Sequence, residues 1–506
     1  MTPATWSGVG SVADVELVDV SLRDGNQSLW GATGLRTAHI LQIAPALNRV
    51  GFRALDFCSS TAMGVAVRTH REDPWQRIRL THAAMPDTPL QFIGTGLRFI
   101  SWEGQHPDFM QIVYDRLVAN GISRFVVLDP MHDVEALLES ARMIRKAGAS
   151  EIIAALTYTI SDVHDDAFYA KLAAKVSKSS NMDRAYIKDP AGLLTPERAR
   201  TLIPAVRAQL GRMPLELHSH CTIGLSALSY MAAAELGAEV LQVACGPLAN
   251  GSSLPNAQRV VANLRELGHS VNIDDRALGL VVDYFRRLAE AENLPSGTPQ
   301  EYDASFLRHQ VAGGVMTTTR RQLAELKLED RFADLMREVI QVRAELGYPI
   351  MVTPFPQIVC TQALYNIIGT ERYENVSDQV IRYVLGKFGR PTMPVDANVK
   401  DRILSRRRAR ELAAEPPPLP PHELRKKFNL GIPEDEFLLR AVMPAEEVDA
   451  MLAAGPARQH YNPDMQPILK LLRELQKRPE ASDIAIEKPD FRLALHSSRD
   501  QAVASA

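Results

Sequence analysis

The sequence has little cysteine and almost no imbalance of charge. Only four cysteines occur in 506 residues, none of them in a Cys-x-x-Cys pair, which excludes a disulfide framework and a thiolate zinc finger. The 57 basic residues nearly balance the 60 acidic ones, so neither a nucleic-acid groove nor a polybasic membrane anchor is predicted. No apolar run approaches the roughly 18 residues of a membrane span, and no signal peptide opens the chain. We therefore expect a cytoplasmic protein whose partners are small molecules or other proteins.

Short apolar, β-branched runs alternate with amphipathic helical stretches from about residue 16 to residue 251. This alternation is typical of βα units on a parallel sheet. Eight such runs favour a closed (β/α)8 TIM barrel over an open sheet, and hence an α/β protein. The predicted strands are 15–20, 54–57, 90–94, 124–128, 152–156, 184–187, 214–217 and 239–244.

The chain beyond the barrel is helical, charged and poor in strand patterns. The proline-rich run at 415–421 can sustain neither a helix nor a central strand, so it indicates a stiff connector. We expect a mainly helical C-terminal region interrupted there. The predicted units are an N-terminal tail (1–13), the barrel (14–295), a helical region (296–414), the connector (415–422), a helical extension (423–478) and a flexible tail (479–506).

Polar residues cluster where the predicted strands end. The active site of a TIM barrel lies at the carboxyl ends of its strands, because the βα loops converge there. Strand one is followed by Asp24, strand six by Lys188, strand seven by His218 and His220, and strand eight by Ser252. The sequence therefore predicts a polar site at this end of the barrel.

Two imidazoles and one carboxylate, from His218, His220 and Asp24, are ligands that a zinc-like ion accepts. A His-x-His pair alone is weak evidence for a metal, because two histidines that bond to backbone and water are the more common case. The position of the pair at a barrel mouth opposite Asp24 favours a metal. Lys188 is open to a surface role or to an ion pair with Asp189, but as a buried cation it would need pairing or modification.

Several motifs in order resemble the carboxyltransferase component of biotin-dependent 2-oxo-acid carboxylases, which include pyruvate carboxylase, the transcarboxylase 5S subunit and the oxaloacetate decarboxylase α subunit. The resemblance runs from about residue 14 to about residue 455. Residues 23–28 resemble the family's Arg-Asp-Ala-His-Gln-Ser, and residues 187–194 resemble its Ile-Lys-Asp-Met-Ala-Gly-Leu-Leu. Further similar segments are 72–75, 218–220, 249–255, 309–314 and 352–354.

The resemblance implies a divalent metal, commonly Zn²⁺ with Mn²⁺ or Co²⁺ as alternatives, held by Asp24, His218, His220 and a carbamylated Lys188. It further implies a Lewis-acid role for the metal, with Arg23 and Gln27 beside it. Ser252 stands where the family has a threonine that moves a proton between biotin and the enolate. Ser252 and Lys188 are therefore the predicted cofactor-binding residues.

The sequence departs from the family pattern in the substrate pocket. Thr95 replaces the arginine that grips the substrate carboxylate, and Trp102 replaces a tyrosine. The segment 58–64 lacks a family aspartate. Arg98 could supply a carboxylate anchor, provided that the chain turns after the strand, since strand alternation would otherwise aim it away from Thr95. Either the acceptor differs from pyruvate and oxaloacetate, or these loops have drifted neutrally.

Two other functions stay open from the residues alone. A biotin-free metal-dependent aldolase, lyase or Claisen-type synthase of the same barrel superfamily also opens with Arg-Asp-Gly, as at Arg23 and Asp24. A non-catalytic scaffold is disfavoured, because converging charged ligands would lack compensation.

The sequence contains no Ala-Met-Lys-Met biotinylation sequence and no Gly-rich phosphate loop. We therefore expect biotin to arrive on a separate carrier chain, with a biotin carboxylase as a further partner. The resemblance also implies a homodimer or a larger assembly, and a carrier that docks at the helical region.

Overall fold

The computed structural model describes residues 13–101, 103–311, 313–428, 431–466, 468, 471–472, 474, 483–488 and 491–496. Eight parallel strands close into a barrel in which β1 pairs with both β2 and β8, as the sequence predicted. The strands are β1 Glu16–Asp19, β2 Ala54–Ser59, β3 Leu90–Thr95, β4 Ile122–Leu128, β5 Glu151–Thr157, β6 Arg184–Asp189, β7 Leu215–Ser219 and β8 Val240–Val243.

Helices surround the barrel, and their ends follow the local sequence. Thr195 accepts a hydrogen bond from the Arg198 backbone N–H, Pro196 takes the first helical position, and Gly211 follows the last turn at positive φ. The barrel helices are α1 Asn26–Trp30, α2 Thr37–Leu47, α3 Ser60–Val65, α4 Pro74–Ala84, α5 Pro107–Ala119, α6 Val134–Lys146, α7 Asp166–Val176, α8 Pro196–Leu210, α9 Ser226–Glu235, α10 Ala257–Glu266 and α11 Asp275–Glu292.

The helical region has a hydrophobic core of its own, which includes Leu335, Val339 and Phe355. Gln310 and Arg343 bond it to the barrel, where Arg343 donates to the carbonyl of Ile160 at 2.9 Å. This attachment brings the region over the carboxyl ends of the strands. Its helices are α12 Phe306–His309, α13 Gly313–Glu325, α14 Phe332–Glu345, α15 Phe355–Ile368, α16 Asp378–Val384, α17 Ala397–Leu404 and α18 Arg407–Ala413.

The chain after the proline-rich segment returns to the outside of the barrel. Its helices are α19 Pro421–Arg425, α20 Glu434–Arg440 and α21 Ala445–Ala454. Phe437 is fully buried and belongs to the same hydrophobic core as the barrel. The indole N–H of Trp75 donates to the carbonyl of Asp435 at 3.1 Å. The helical extension is therefore part of the barrel's outer layer.

A short antiparallel hairpin lies within the segment for which we expected a flexible tail. Strands β9 Asp483–Lys488 and β10 Phe491–His496 pair along their whole length. The other unit boundaries remain predictions from the sequence. Among the described residues, no helix is both long and apolar enough to cross a membrane.

Candidate active site

A cavity of about 320 Å³ lies at the carboxyl ends of the strands, under the helical region. Val352 and Gln357 of the helical region contribute to its wall. His218 lies beneath the cavity with no exposed surface. Trp102 lies outside the described residues. The predicted site residues that line the cavity are Arg23, Asp24, Gln27, Thr95, Arg98, Lys188, His220 and Ser252.

Asp24, His218 and His220 converge as the sequence predicted, with ligand atoms all within 4.8 Å of one another. The Nε2 atom of His218 lies 3.3 Å from one Asp24 oxygen, and Nε2 of His220 lies 3.6 Å from the other. Strand β7 ends at Ser219, so the backbone leaves the sheet between the two histidines. That departure allows both rings to face one point.

Hydrogen bonds leave the Nε2 atoms of both histidines available as ligands. His220 Nδ1 lies 2.6 Å from the carbonyl oxygen of Ser252, which can only accept, so this nitrogen carries the proton. His218 Nδ1 lies 2.8 Å from Oε1 of Gln242. Burial lowers the pKa of His218 to about 3, which keeps the ring neutral. A ring that carries its hydrogen on Nδ1 presents the lone pair of Nε2, which is the form of histidine that binds a divalent metal.

Asp24 is a buried carboxylate that stays ionised. Burial alone would raise its pKa, but Arg23, His220 and Lys188 hold the pKa well below its usual range. Ser28 donates a hydrogen bond to the carboxylate at 3.1 Å. A negative charge therefore faces the two imidazoles.

Lys188 is 4% exposed and points into this cluster. Its Nζ lies 3.1 Å from His218 Nε2 and 3.6 Å from Asp24, so it is not a surface lysine. Asp189 turns the other way and accepts from Ser219 and two backbone N–H groups. Burial lowers the pKa of Lys188 to about 8, which increases the neutral fraction of an amine that lies beside the three candidate ligands.

Hydrogen bonds hold Arg23 and Ser252 in place at the cavity. Arg23 donates to Asp56 at 2.7 Å and contacts Asp24 at 3.0 Å, so its guanidinium is fixed beside the predicted metal position. Ser252 donates its hydroxyl hydrogen to the carbonyl of Ser28 at 2.8 Å. The lone pairs of the Ser252 hydroxyl remain able to accept a proton.

Thr95 and Arg98 both line the cavity, because the chain turns between them. Thr95 is the last residue of β3, and Gly96 adopts a positive φ of 52°. The Arg98 guanidinium lies over the ring of Phe388 at 5.5 Å and 3.4 Å from the carbonyl of Lys387. Arg98 is thus a cation at the junction of the barrel and the helical region.

Two residues of the site were not found from the sequence. Asp56 anchors Arg23, and Gln242 contacts His218; both are almost fully buried. Each is a polar residue between two apolar neighbours in a buried strand, β2 or β8, and such a residue must find a partner in the barrel interior. That pattern is the signal by which they could have been recognised.

Comparisons with known proteins identify relatives of this chain. Residues 306–480 match a family model described as "Conserved carboxylase domain". The chain is 34% identical over 391 residues to a pyruvate carboxylase subunit of Methanocaldococcus jannaschii, across 77% of this chain and 68% of the relative. It is 28% identical to the 2-oxoglutarate carboxylase large subunit of Hydrogenobacter thermophilus, across 88% and 70% of the two chains.

A solved structure has the same fold. The carboxyl transferase domain of Rhizobium etli pyruvate carboxylase, with oxamate and biotin, aligns with a TM-score of 0.78 at 23% identity. The alignment covers 88% of this chain and 78% of that one. The resemblance predicted from the sequence is confirmed. This chain belongs to the carboxyltransferase family of the biotin-dependent 2-oxo-acid carboxylases.

Proposed function

We propose that this chain is a metal-dependent carboxyltransferase subunit. It moves a carboxyl group between carboxybiotin on a separate carrier chain and the enolate of a small 2-oxo acid or related carbonyl compound. The observation that carries this proposal is the convergence of Asp24, His218 and His220 beside Lys188 at the barrel mouth. The relatives are carboxylases, which favours carboxyl transfer over a biotin-free aldolase, lyase or synthase.

The metal would be held by Asp24, His218, His220 and carbamylated Lys188. Carbamylation joins CO2 to the neutral Lys188 amine with release of a proton, and converts a repelling amine into an anionic ligand. Bound there, Zn²⁺ or a similar ion supplies Lewis acidity toward the oxygen of the acceptor enolate. Arg23 and Gln27 face the same space and would orient the acceptor.

Ser252 is the proposed proton carrier. In the carboxylation direction the N–C bond of carboxybiotin breaks and a C–C bond to the acceptor carbon forms. The proton lost by that carbon passes through the Ser252 hydroxyl to the biotin nitrogen. The free lone pairs of Ser252 support this role, since they can receive the proton while its own hydrogen passes on.

The acceptor pocket supports a substrate other than pyruvate or oxaloacetate. Thr95 stands where the family has its carboxylate-binding arginine, and Arg98 places a cation on the cavity wall nearby. We propose that Arg98 binds the acceptor carboxylate. The names of two relatives, a pyruvate carboxylase subunit and a 2-oxoglutarate carboxylase subunit, support variation of the acceptor within this family.

The partners follow from the same proposal. We infer a biotin carboxyl carrier that docks at the helical region, a biotin carboxylase chain, and a homodimer or larger assembly. The Methanocaldococcus jannaschii relative is named as one subunit of a pyruvate carboxylase, which supports an enzyme divided among several chains. Four free and buried thiols support a reducing compartment such as the cytoplasm.

An assay of carboxyl transfer with biotinylated carrier and a panel of 2-oxo acids tests this function. We expect activity that requires both carrier and metal, with a preferred acceptor other than oxaloacetate. Arg98→Ala should raise KM for that acceptor by about 10–100-fold with a smaller change in kcat, because it removes a charge-assisted hydrogen bond. Full activity toward oxaloacetate would exclude the altered acceptor, and activity without metal would exclude the metal-dependent chemistry.

A further inference from the structure

A closed ring of eight buried side chains lies at the predicted metal site. Two of its members are the predicted ligands Asp24 and His218. Each member is 0–7% exposed. From Asp24 the contacts pass in order through Arg23, Asp56, Gln91, Arg124, Glu216, Gln242 and His218, and His218 returns to Asp24.

Charge and hydrogen-bonding capacity fix the direction of the contacts on the His218 side. The Arg124 guanidinium can only donate, and it bonds one oxygen of Glu216. The other oxygen of Glu216 lies 3.3 Å from Nε2 of Gln242, so the Gln242 amide must donate there. Its carbonyl oxygen then faces His218 Nδ1 at 2.8 Å. An amide oxygen only accepts, so Nδ1 of His218 carries the hydrogen.

The proton position on His218 therefore depends on Glu216, two residues away in the ring. With hydrogen on Nδ1, the lone pair of His218 lies on Nε2, which faces Asp24 at 3.3 Å. If the Gln242 amide were reversed, its NH2 group would face Nδ1 and drive the hydrogen onto Nε2. A protonated Nε2 cannot bind a metal.

We propose that Glu216 is a positioning residue for the metal site, which acts through Gln242 to fix the tautomer of His218. This inference rests on the proposed metal function. Gln242 is the intermediate link, because it contacts both Glu216 and His218. Gln91 occupies the matching position on the other arm of the ring, between Arg124 and Asp56, and contacts neither histidine ligand.

An exchange of the side chains of Glu216 and Gln242 tests the proposal. In Glu216→Gln, Arg124 takes the new carbonyl oxygen, so the new NH2 group faces Gln242 and reverses it. In the double variant Glu216→Gln with Gln242→Glu, a carboxylate stands next to His218 and accepts from both neighbours. The double variant keeps the charge of the ring and restores the acceptor for Nδ1.

The measurement is the dissociation constant of Zn²⁺ from the full chain, by competition with a chelator of known affinity. We expect Glu216→Gln to weaken Zn²⁺ binding by about 10–100-fold, and the double variant to restore most of it. Zn²⁺ binding by Glu216→Gln equal to that of the unsubstituted chain, or a double variant as weak as the single one, would overturn the proposal.

A second pair of variants removes any change of charge from the comparison. Gln242→Leu should weaken Zn²⁺ binding by about 10–100-fold, whereas Gln91→Leu should leave it nearly unchanged. Circular dichroism and thermal unfolding identify the folded variants, and this pair decides the question if Glu216→Gln does not fold. Equal affinities for the two leucine variants would overturn the role of Gln242. If the unsubstituted chain binds no Zn²⁺, the metal site itself is wrong.

Discussion

Charged side chains at the barrel mouth are buried in groups whose charges compensate one another. Asp24 lies between Arg23 and Lys188, and Arg23 also contacts Asp56. Removal of one member leaves the others uncompensated, at a cost of about 3–5 kcal/mol for a buried pair. A divalent metal bound to Asp24 and the two histidines would add positive charge to this group, and a carbamylated Lys188 would balance it.

His218→Ala and His220→Ala should each lose most of the bound metal, because each variant removes one of the few ligands. His106→Ala is the control, since His106 caps a helix outside the cavity. Metal content after dialysis, measured by mass spectrometry of the elements, checks this. Full occupancy in both ligand variants would mean that the ligands are misassigned.

Lys188→Ala and Lys188→Arg should lose metal affinity together with activity, because neither side chain can become a carbamate. Two like charges about 4 Å apart cost on the order of 4 kcal/mol at an effective dielectric near 20, so an arginine would also repel the ion. Lys188→Glu should retain some metal through its carboxylate. Metal content and carboxyl-transfer activity are measured for each variant. An active Lys188→Arg would contradict the carbamylation of Lys188.

His164 is a buried histidine that is not one of the predicted metal ligands. Its ring packs against Phe168, with ring centroids 4.7 Å apart. Burial lowers its pKa to about 3. The folded pKa lies below the ordinary value of about 6.5, so the unfolded chain binds the extra proton, and stability is lost as the pH falls below that value. His164→Phe should therefore make the free energy of unfolding depend less on pH.

The expected difference is up to about 1.4 kcal/mol per pH unit between pH 6 and pH 4. Urea unfolding of the chain and of His164→Phe at several pH values measures it. Parallel stability curves for the two proteins would show that His164 is protonated in the folded state.

At the scale of helices and strands, most elements could be predicted from local sequence patterns. The eight strands were predicted within a few residues, because parallel strands buried on both faces appear as apolar runs between helical stretches. The cap of α8 could be predicted from Thr195, Pro196 and Gly211. The hairpin β9–β10 could also have been recognised, because Phe491, Leu493 and Leu495 alternate with less apolar residues, as is typical of a strand.

The docking of α20 onto the barrel could not be predicted, because it depends on contacts between residues far apart in the sequence. Phe437 packs edge-on against Phe109 with ring centroids 6.2 Å apart. Arg116 donates to Asp435 at 2.8 Å beside it. Neither partner carries a sequence signal that points to the other.

Phe437→Ala should lower the free energy of unfolding by about 3–5 kcal/mol, since it opens a cavity between α20 and the barrel. Leu452→Ala on α21 is the control and should change it by about 0.5 kcal/mol or less, because Leu452 is 46% exposed. Denaturant unfolding measures both. Equal effects would show that the extension does not pack on the barrel as described.

At the scale of the whole molecule, the cavity is shared between the barrel and the helical region. The barrel supplies the predicted metal ligands and the proposed proton carrier Ser252, whereas Val352 and Gln357 complete the wall. The convergence of Asp24, His218 and His220 could be predicted, because each lies at the carboxyl end of a barrel strand or in the loop after it. The contact of Arg98 with Phe388 and Lys387 could not, because it depends on how the two regions pack.

The proposed reaction depends on a divalent metal held by three side chains and a carbamylated lysine. A high-resolution crystal structure of the chain prepared with bicarbonate and Zn²⁺, with anomalous diffraction at the zinc edge, would reveal both. We expect one ion bound to Asp24, His218 and His220 at about 2.0–2.2 Å, and density for an added CO2 on Lys188. A metal-loaded site with an unmodified Lys188, or zinc elsewhere in the chain, would rule out this site.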